Sequence, residues 1–162
     1  MRFAYADPPY IGCANLYPEK REVDHAQLIG DLIAGFPDGW ALSCHTPSLR
    51  YLLPLCPDDV RVMAWVKPFA AFRKKIRPQF AWEPVILCGG RPPESKSFTC
   101  VRDWMSEHPP VFLGERALKG MKSQAFCRWV LDCLGYEDGD EIVDLFPGSR
   151  IMDSVARQMR LA

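Results

Sequence analysis

The residues Asp7-Pro8-Pro9-Tyr10 carry the clearest chemistry in the chain, because they follow directly on the apolar run Phe3-Ala4-Tyr5-Ala6. Consecutive prolines fix their own φ angles and push the residue before each toward extended backbone. A carboxylate therefore leaves a strand end in a limited set of directions, two residues from an aromatic ring. An acceptor held this way suits the chemistry of an amine. At this composition the word is expected by chance about 0.003 times, although a proline turn closing an edge strand is the plain structural alternative.

A second word lies near the other end. The apolar run Ile142-Val143-Asp144-Leu145-Phe146 passes into Pro147-Gly148-Ser149 and then into a helical pattern from 150 to about 160. Glycine lets backbone approach a ligand closely, and the helix amino terminus offers N–H donors that favour an anionic group. An ordinary strand-turn-helix would look the same.

The elements that must position these words alternate along the chain. Strands are expected at 2–6, 40–44, 60–66, 82–88 and 141–146. Asp24 is read as the cap of a helix to 36, Ser48 as the cap of a short helix to 55, and Ser123 as the cap of a helix to 134 closed by Gly135. The stretch 91–120, with Pro92-Pro93 and Pro109-Pro110, reads as an irregular insertion. This alternation predicts a doubly wound α/β sheet in a single domain over 1–162, with an irregular basic insertion at about 67–120.

With 162 residues, 48% of them hydrophobic, the chain is long enough to bury a sizeable core. No apolar run approaches a membrane span and no leader pattern opens the chain, so a cytoplasmic location is expected. The seven cysteines are scattered without a C-x-x-C pair, which argues for reduced thiols and no metal site; Cys44, Cys88, Cys127 and Cys133 read as small buried hydrophobes. Net charge is zero, yet residues 61–128 hold 13 Lys/Arg against 5 Asp/Glu. The basic run Arg73, Lys74, Lys75 and Arg77 within that stretch is the candidate for phosphate contact. His25, His45 and His108 have neither ligand spacing nor a paired base and read as structural.

The two words together resemble those of the amino-group DNA methyltransferases, which methylate adenine N6 or cytosine N4 with S-adenosylmethionine. The catalytic word comes first and the glycine turn last, which resembles the circularly permuted order of one class of these enzymes. The runs Trp65-Val66-Lys67-Pro68-Phe69, Ala81-Trp82-Glu83-Pro84-Val85 and Ala125-Phe126-Cys127-Arg128-Trp129 further resemble small methylases of actinobacteria and their phages. The resemblance implies a minimal, permuted, Rossmann-like methyltransferase sheet. It assigns Asp7, Pro8, Pro9 and Tyr10 to catalysis, and Asp144, Phe146, Pro147, Gly148, Ser149 and Lys122 to S-adenosylmethionine. Double-stranded DNA is the implied partner, with a homodimer left open. Three departures stand out. Arg150 takes the place of the family's second glycine, where a bulky cation crowds the cofactor or works against a left-handed backbone. The segment 118–123 keeps a lysine at Lys122 but lacks the His-Pro-Thr of larger relatives. The strand whose acidic end usually binds the cofactor ribose is missing or supplied by other means.

The implied chemistry is specific. An exocyclic amino group is a poor nucleophile because its lone pair is delocalised into the ring; acceptance of its N–H groups by Asp7 and the Pro8 carbonyl redirects that pair. The base would be extruded from the duplex and stacked on Tyr10. Adenine N6 is the first expected target. A catalytically inactive relative that binds nucleic acid or a partner protein is the alternative, and RNA is a third substrate class.

Overall fold

Strand β1 (Arg2–Ala6) is buried along four of its five residues, and its side chains divide by parity. Phe3 and Tyr5 join one core, Ala4 and Ala6 the other. A strand covered on both faces reads as a continuous apolar run, as this one does. β2 (Gly39–Ser43) is buried throughout. The computed structural model describes residues 1–17, 20–68, 74–93, 100–108, 121–148 and 150–160.

The other strands are β3 (Arg61–Val66), β4 (Trp82–Gly89), β5 (Trp104–Ser106) and β6 (Glu141–Asp144). They form one six-stranded sheet in the order β5-β3-β4-β2-β1-β6. β1 runs parallel to both β2 and β6, while β4 is antiparallel to β2 and β3. The sheet is thus mixed in strand direction, with helices on both faces as the alternation of elements suggested. Among the described residues no helix links β3 to β4, so β4 returns antiparallel and inserts between β3 and β2.

Helices cover both faces. α3 (Gln124–Leu134) and α4 (Ile151–Met159) pack with Phe3, Tyr5, Met63, Trp65 and Val85; α1 (His25–Gly35) and the segment around α2 (Leu49–Leu52) pack with Ala4, Ala6, Leu42 and Ile86. The caps explain the boundaries. Asp24 accepts from the Gln27 N–H and Ser123 from the Phe126 N–H, and Gly135 ends α3 in the left-handed conformation, which glycine adopts without steric cost.

Several boundaries differ from the sequence reading. Ser48 stands at the N-cap position of α2 but makes no side-chain capping bond; its hydroxyl is 2.6 Å from His45 Nδ1, and 46–55 is a short α-turn flanked by 3₁₀ turns. β5 lies inside the stretch read as irregular, paired in parallel with β3. β6 stops at Asp144, two residues early, because Phe146 turns back to donate to the Asp144 side chain. Cys44 and Cys127 are buried as expected, but Cys88 and Cys133 are only half-buried. No helix among the described residues is long and apolar enough to cross a membrane.

This topology concentrates function at one edge. β1, β2, β3, β5 and β6 all finish there, and the chain enters β4 from it.

Candidate active site

Parity places Asp7 on the α3 side of the sheet, two residues beyond Tyr5. Pro8 is buried, while Asp7, Pro9 and Tyr10 are half-buried, and the Tyr10 carbonyl accepts from the Cys13 N–H at 2.8 Å, closing the turn. Tyr5 forms the floor, its hydroxyl 2.9 Å from Ser43 Oγ in a buried contact.

Lys122 fills the centre. It immediately precedes the Ser123 cap and is 6% exposed, and its Nζ donates to both Asp7 carboxylate oxygens at 2.9 Å and to the Tyr10 hydroxyl at 3.3 Å. Glu83 Oε2 lies 3.6 Å from the same ammonium and accepts from the Tyr10 hydroxyl at 3.1 Å. The other Glu83 oxygen accepts from Lys67. Two carboxylates, two ammonium groups and a phenol therefore share one pocket roofed by Trp65 and Phe126, whose ring centroids are 5.7 and 5.8 Å from Lys122 Nζ.

The environments of the two acids differ. Burial pushes the Asp7 carboxyl up, against the pull of Lys122. Burial also acts to raise Glu83, but Lys122 and Lys67 outweigh it and hold that carboxyl below its usual range. For Lys122, burial favours the neutral amine, and Asp7 and Glu83 more than reverse it. Glu83 and Lys122 are thus both shifted toward their charged forms, and of the two acids Asp7 is the nearer to taking a proton.

The second word arrives at the same edge. Tyr5 pairs with Asp144 in the β1–β6 register, and the Leu145 N–H donates to the Tyr5 carbonyl at 2.9 Å. Asp144 Oδ1 accepts from the Phe146 N–H at 3.0 Å. Burial, followed by the charges of Asp153 and Asp7, lifts the Asp144 carboxyl to about 6. Phe146 is half-buried against the α1-side core, and Pro147 and Gly148 are exposed; Ser149 lies outside the described residues.

Arg150 is left-handed, with φ 54° and ψ 21°, at the amino end of α4. The backbone therefore takes the conformation its side chain disfavours, at a cost of about 1 kcal/mol. Arg150→Gly is accordingly expected to raise stability by about 1 kcal/mol in urea unfolding; an unchanged or lowered midpoint contradicts a strained residue.

Of the phosphate-contact candidates, Lys74, Lys75 and Arg77 are exposed in the connection between β3 and β4, at the same edge as Asp7; Arg73 lies outside the described residues. At the site Glu83 and Lys67 carried no prior assignment, and His45 reads from the sequence as structural. Glu83 and Lys67 had a readable signal, a charge within or beside an apolar strand run. His45 stacks on Tyr10, with ring centroids 5.4 Å apart and planes 10° from parallel, and only the β1–β2 pairing reveals that. No cluster of metal-ligating side chains occurs among the described residues.

No family model and no curated protein matches the chain. Solved structures do. The M1.HpyAVI–SAM complex matches with a TM-score of 0.64 at 16% identity, covering 98% of this chain and 78% of that one. A second structure, of M1.HpyAVI, matches with a TM-score of 0.56 at 14% identity, covering 98% of this chain and 76% of that one. The shared property is the fold, a mixed α/β sheet of Rossmann-like type.

Proposed function

We propose that this chain is an S-adenosylmethionine-dependent methyltransferase acting on an exocyclic amino group of a DNA base, adenine N6 before cytosine N4. One observation carries the reading: β1 and β6 are adjacent and parallel, so Asp-Pro-Pro-Tyr and the glycine turn leave the sheet side by side from one edge. Ligands of open α/β sheets bind outside the carboxyl ends of such strands. The fold shared with a protein solved in complex with SAM supports the same cofactor here. The order of the two words, with the last strand seated beside the first, supports a circular permutation.

The residues fit that cofactor. No cation pairs with the half-buried Asp144 among the described residues, and its acid is held unusually high, a deficit that a cationic ligand group corrects. Phe146, Pro147 and Gly148 provide the wall and the open turn, and the α4 amino terminus provides N–H donors for a carboxylate. S-adenosylmethionine, when bound, supplies an electrophilic methyl group. Asp7 and the Pro8 carbonyl accept the two N–H groups of the target, which localises the nitrogen lone pair; each charge-assisted bond contributes about 1.5–3 kcal/mol. The proton shed by the methylated nitrogen passes to the Asp7 carboxylate. Tyr10, backed by His45, presents a face on which an extruded base stacks for about 1–3 kcal/mol. Lys74, Lys75 and Arg77 meet phosphates without reading sequence.

Expression in a methylation-free host followed by nucleoside mass spectrometry tests the reading. N6-methyladenine is the expected product, and N4-methylcytosine would reassign the base. Absence of both, with cofactor bound in calorimetry, favours the inactive relative, a reading that draws on Lys122 occupying both Asp7 oxygens.

Cofactor binding should also depend on pH. A cationic group on Asp144 needs the ionised acid, so affinity is expected to fall by roughly tenfold per unit as pH drops below about 6, and Asp144→Asn should flatten the profile. A pH-independent affinity between 5 and 8 would remove Asp144 from the cofactor site.

A further inference from the structure

The arrangement around Lys122 leaves the proposed chemistry with a problem of space. Both Asp7 oxygens already bond the Lys122 ammonium at 2.9 Å, so a carboxylate that turns to face an incoming amino group gives up at least one of those bonds. Lys122 is 6% exposed, and a buried ammonium without an anion is strongly disfavoured. Another anion is within reach. Glu83 Oε2 sits 3.6 Å from Nζ, so less than 1 Å of travel turns that ion pair into a hydrogen bond.

We propose that Glu83 is a positioning residue, the second seat of the Lys122 ammonium, which takes the cation when Asp7 turns its carboxylate to the target amino group. The inference rests on the methyltransferase reading above and adds a residue to it. Glu83 is built for this role. It lies near the start of β4, opposite Trp65 of β3, at the sheet edge where Asp7 emerges. Lys67 holds its Oε1, leaving Oε2 toward Lys122 and the Tyr10 hydroxyl. The rings of Tyr10, Trp65 and Phe126 lie 5.7–5.8 Å from Nζ, so the cation moves past π faces that favour it throughout. The same displacement keeps the Tyr10 hydroxyl anchored while its ring receives a base.

Two readouts test this on the full chain. The first needs no activity: lysine labelled with ¹³C at Cε is titrated by NMR, with Lys122 assigned by the signal lost in Lys122→Met. In Asp7→Asn, which withdraws the first seat, Lys122 is expected to keep a pKa at or above the ordinary lysine value of about 10.4. In Asp7→Asn with Glu83→Gln it should fall by at least about 2 units. A fall of the same size in Asp7→Asn alone overturns the second seat. The second readout is kinetic. Glu83→Gln should lower kcat roughly 10- to 100-fold with cofactor affinity unchanged, and Glu83→Asp, which restores the charge, should recover part of the loss. Equal kcat in wild type and Glu83→Gln overturns the positioning role. A wild-type protein that methylates no DNA counts against the methyltransferase reading itself, and the titration then decides the second seat independently.

Discussion

Asp7→Ala is expected to lower kcat for methyl transfer by about 10³-fold while leaving cofactor affinity within about twofold, as for loss of an interaction made chiefly in the transition state. In the proposed reaction the side chain contributes a charged acceptor to a nitrogen that becomes positive as the methyl group arrives, and the other acceptor of the Asp-Pro-Pro-Tyr corner, the Pro8 carbonyl, carries no charge. Asp7→Asn separates the two duties of the group. An amide oxygen still accepts, but a neutral bond contributes about 0.5–1.5 kcal/mol where a charge-assisted one contributes about 1.5–3. The amide also takes no proton. Asp7→Asn should therefore retain about tenfold more activity than Asp7→Ala. Single-turnover assays with labelled cofactor give both rates. Activity within tenfold of wild type in Asp7→Ala would move the reaction centre away from this corner.

What could be read in advance follows the range of the interactions involved. Asp24 and Ser123 cap their helices and Gly135 ends α3 because these signals act within one turn of the chain. β1 was legible because burial on both faces writes itself as an unbroken apolar run. β5 was not, since three residues carry no period and owe their strand geometry to pairing with β3, about 40 positions earlier. The reversal of β4 was equally invisible, because its register with β2 and β3 is set by what packs beside it. That reversal matters for function: it brings Glu83 to the same edge as Asp7, and a residue in a supporting strand thereby enters the site. Ser48 shows local competition, its hydroxyl serving the His45 ring in preference to a helix end. Tyr10 can be singled out from its word, but the His45 ring stacked on it can be named only once β1 and β2 are known to be neighbours.

Lys122→Met should reduce stability by about 3 kcal/mol at pH 7.5, in the range found for breaking a buried ion pair from one side. The methionine fills much the same space between Trp65 and Phe126 and packs well there, so the loss is electrostatic. Asp7 and Glu83 are left with Lys67 as the remaining ammonium, and their burial is no longer offset. The pH dependence has a definite sign. Lys122 is raised in the folded protein, so its contribution is fully present below the unfolded lysine pKa and is lost only as pH climbs through the higher folded value. Glu83 is lowered, so its share is present above the unfolded glutamate pKa and disappears as pH falls through the folded one. Asp7 is raised and works in the opposite direction, costing stability as pH rises from its unfolded pKa through its folded one, and loss of Lys122 enlarges that cost. Between about pH 6 and 10 the gap between wild type and variant is therefore largest; it should already be smaller at pH 4, where the raised Asp7 takes up its proton, and shrink to about 1 kcal/mol or less only as pH falls further through the lowered Glu83 value. Urea unfolding at pH 7.5 and pH 4 measures the gap at each. Adding Asp7→Asn to Lys122→Met should restore part of the loss at pH 7.5, because it removes one of the stranded anions. An equal deficit at both pH values, with no recovery in the double variant, would mean that Lys122 stabilises the fold by packing alone.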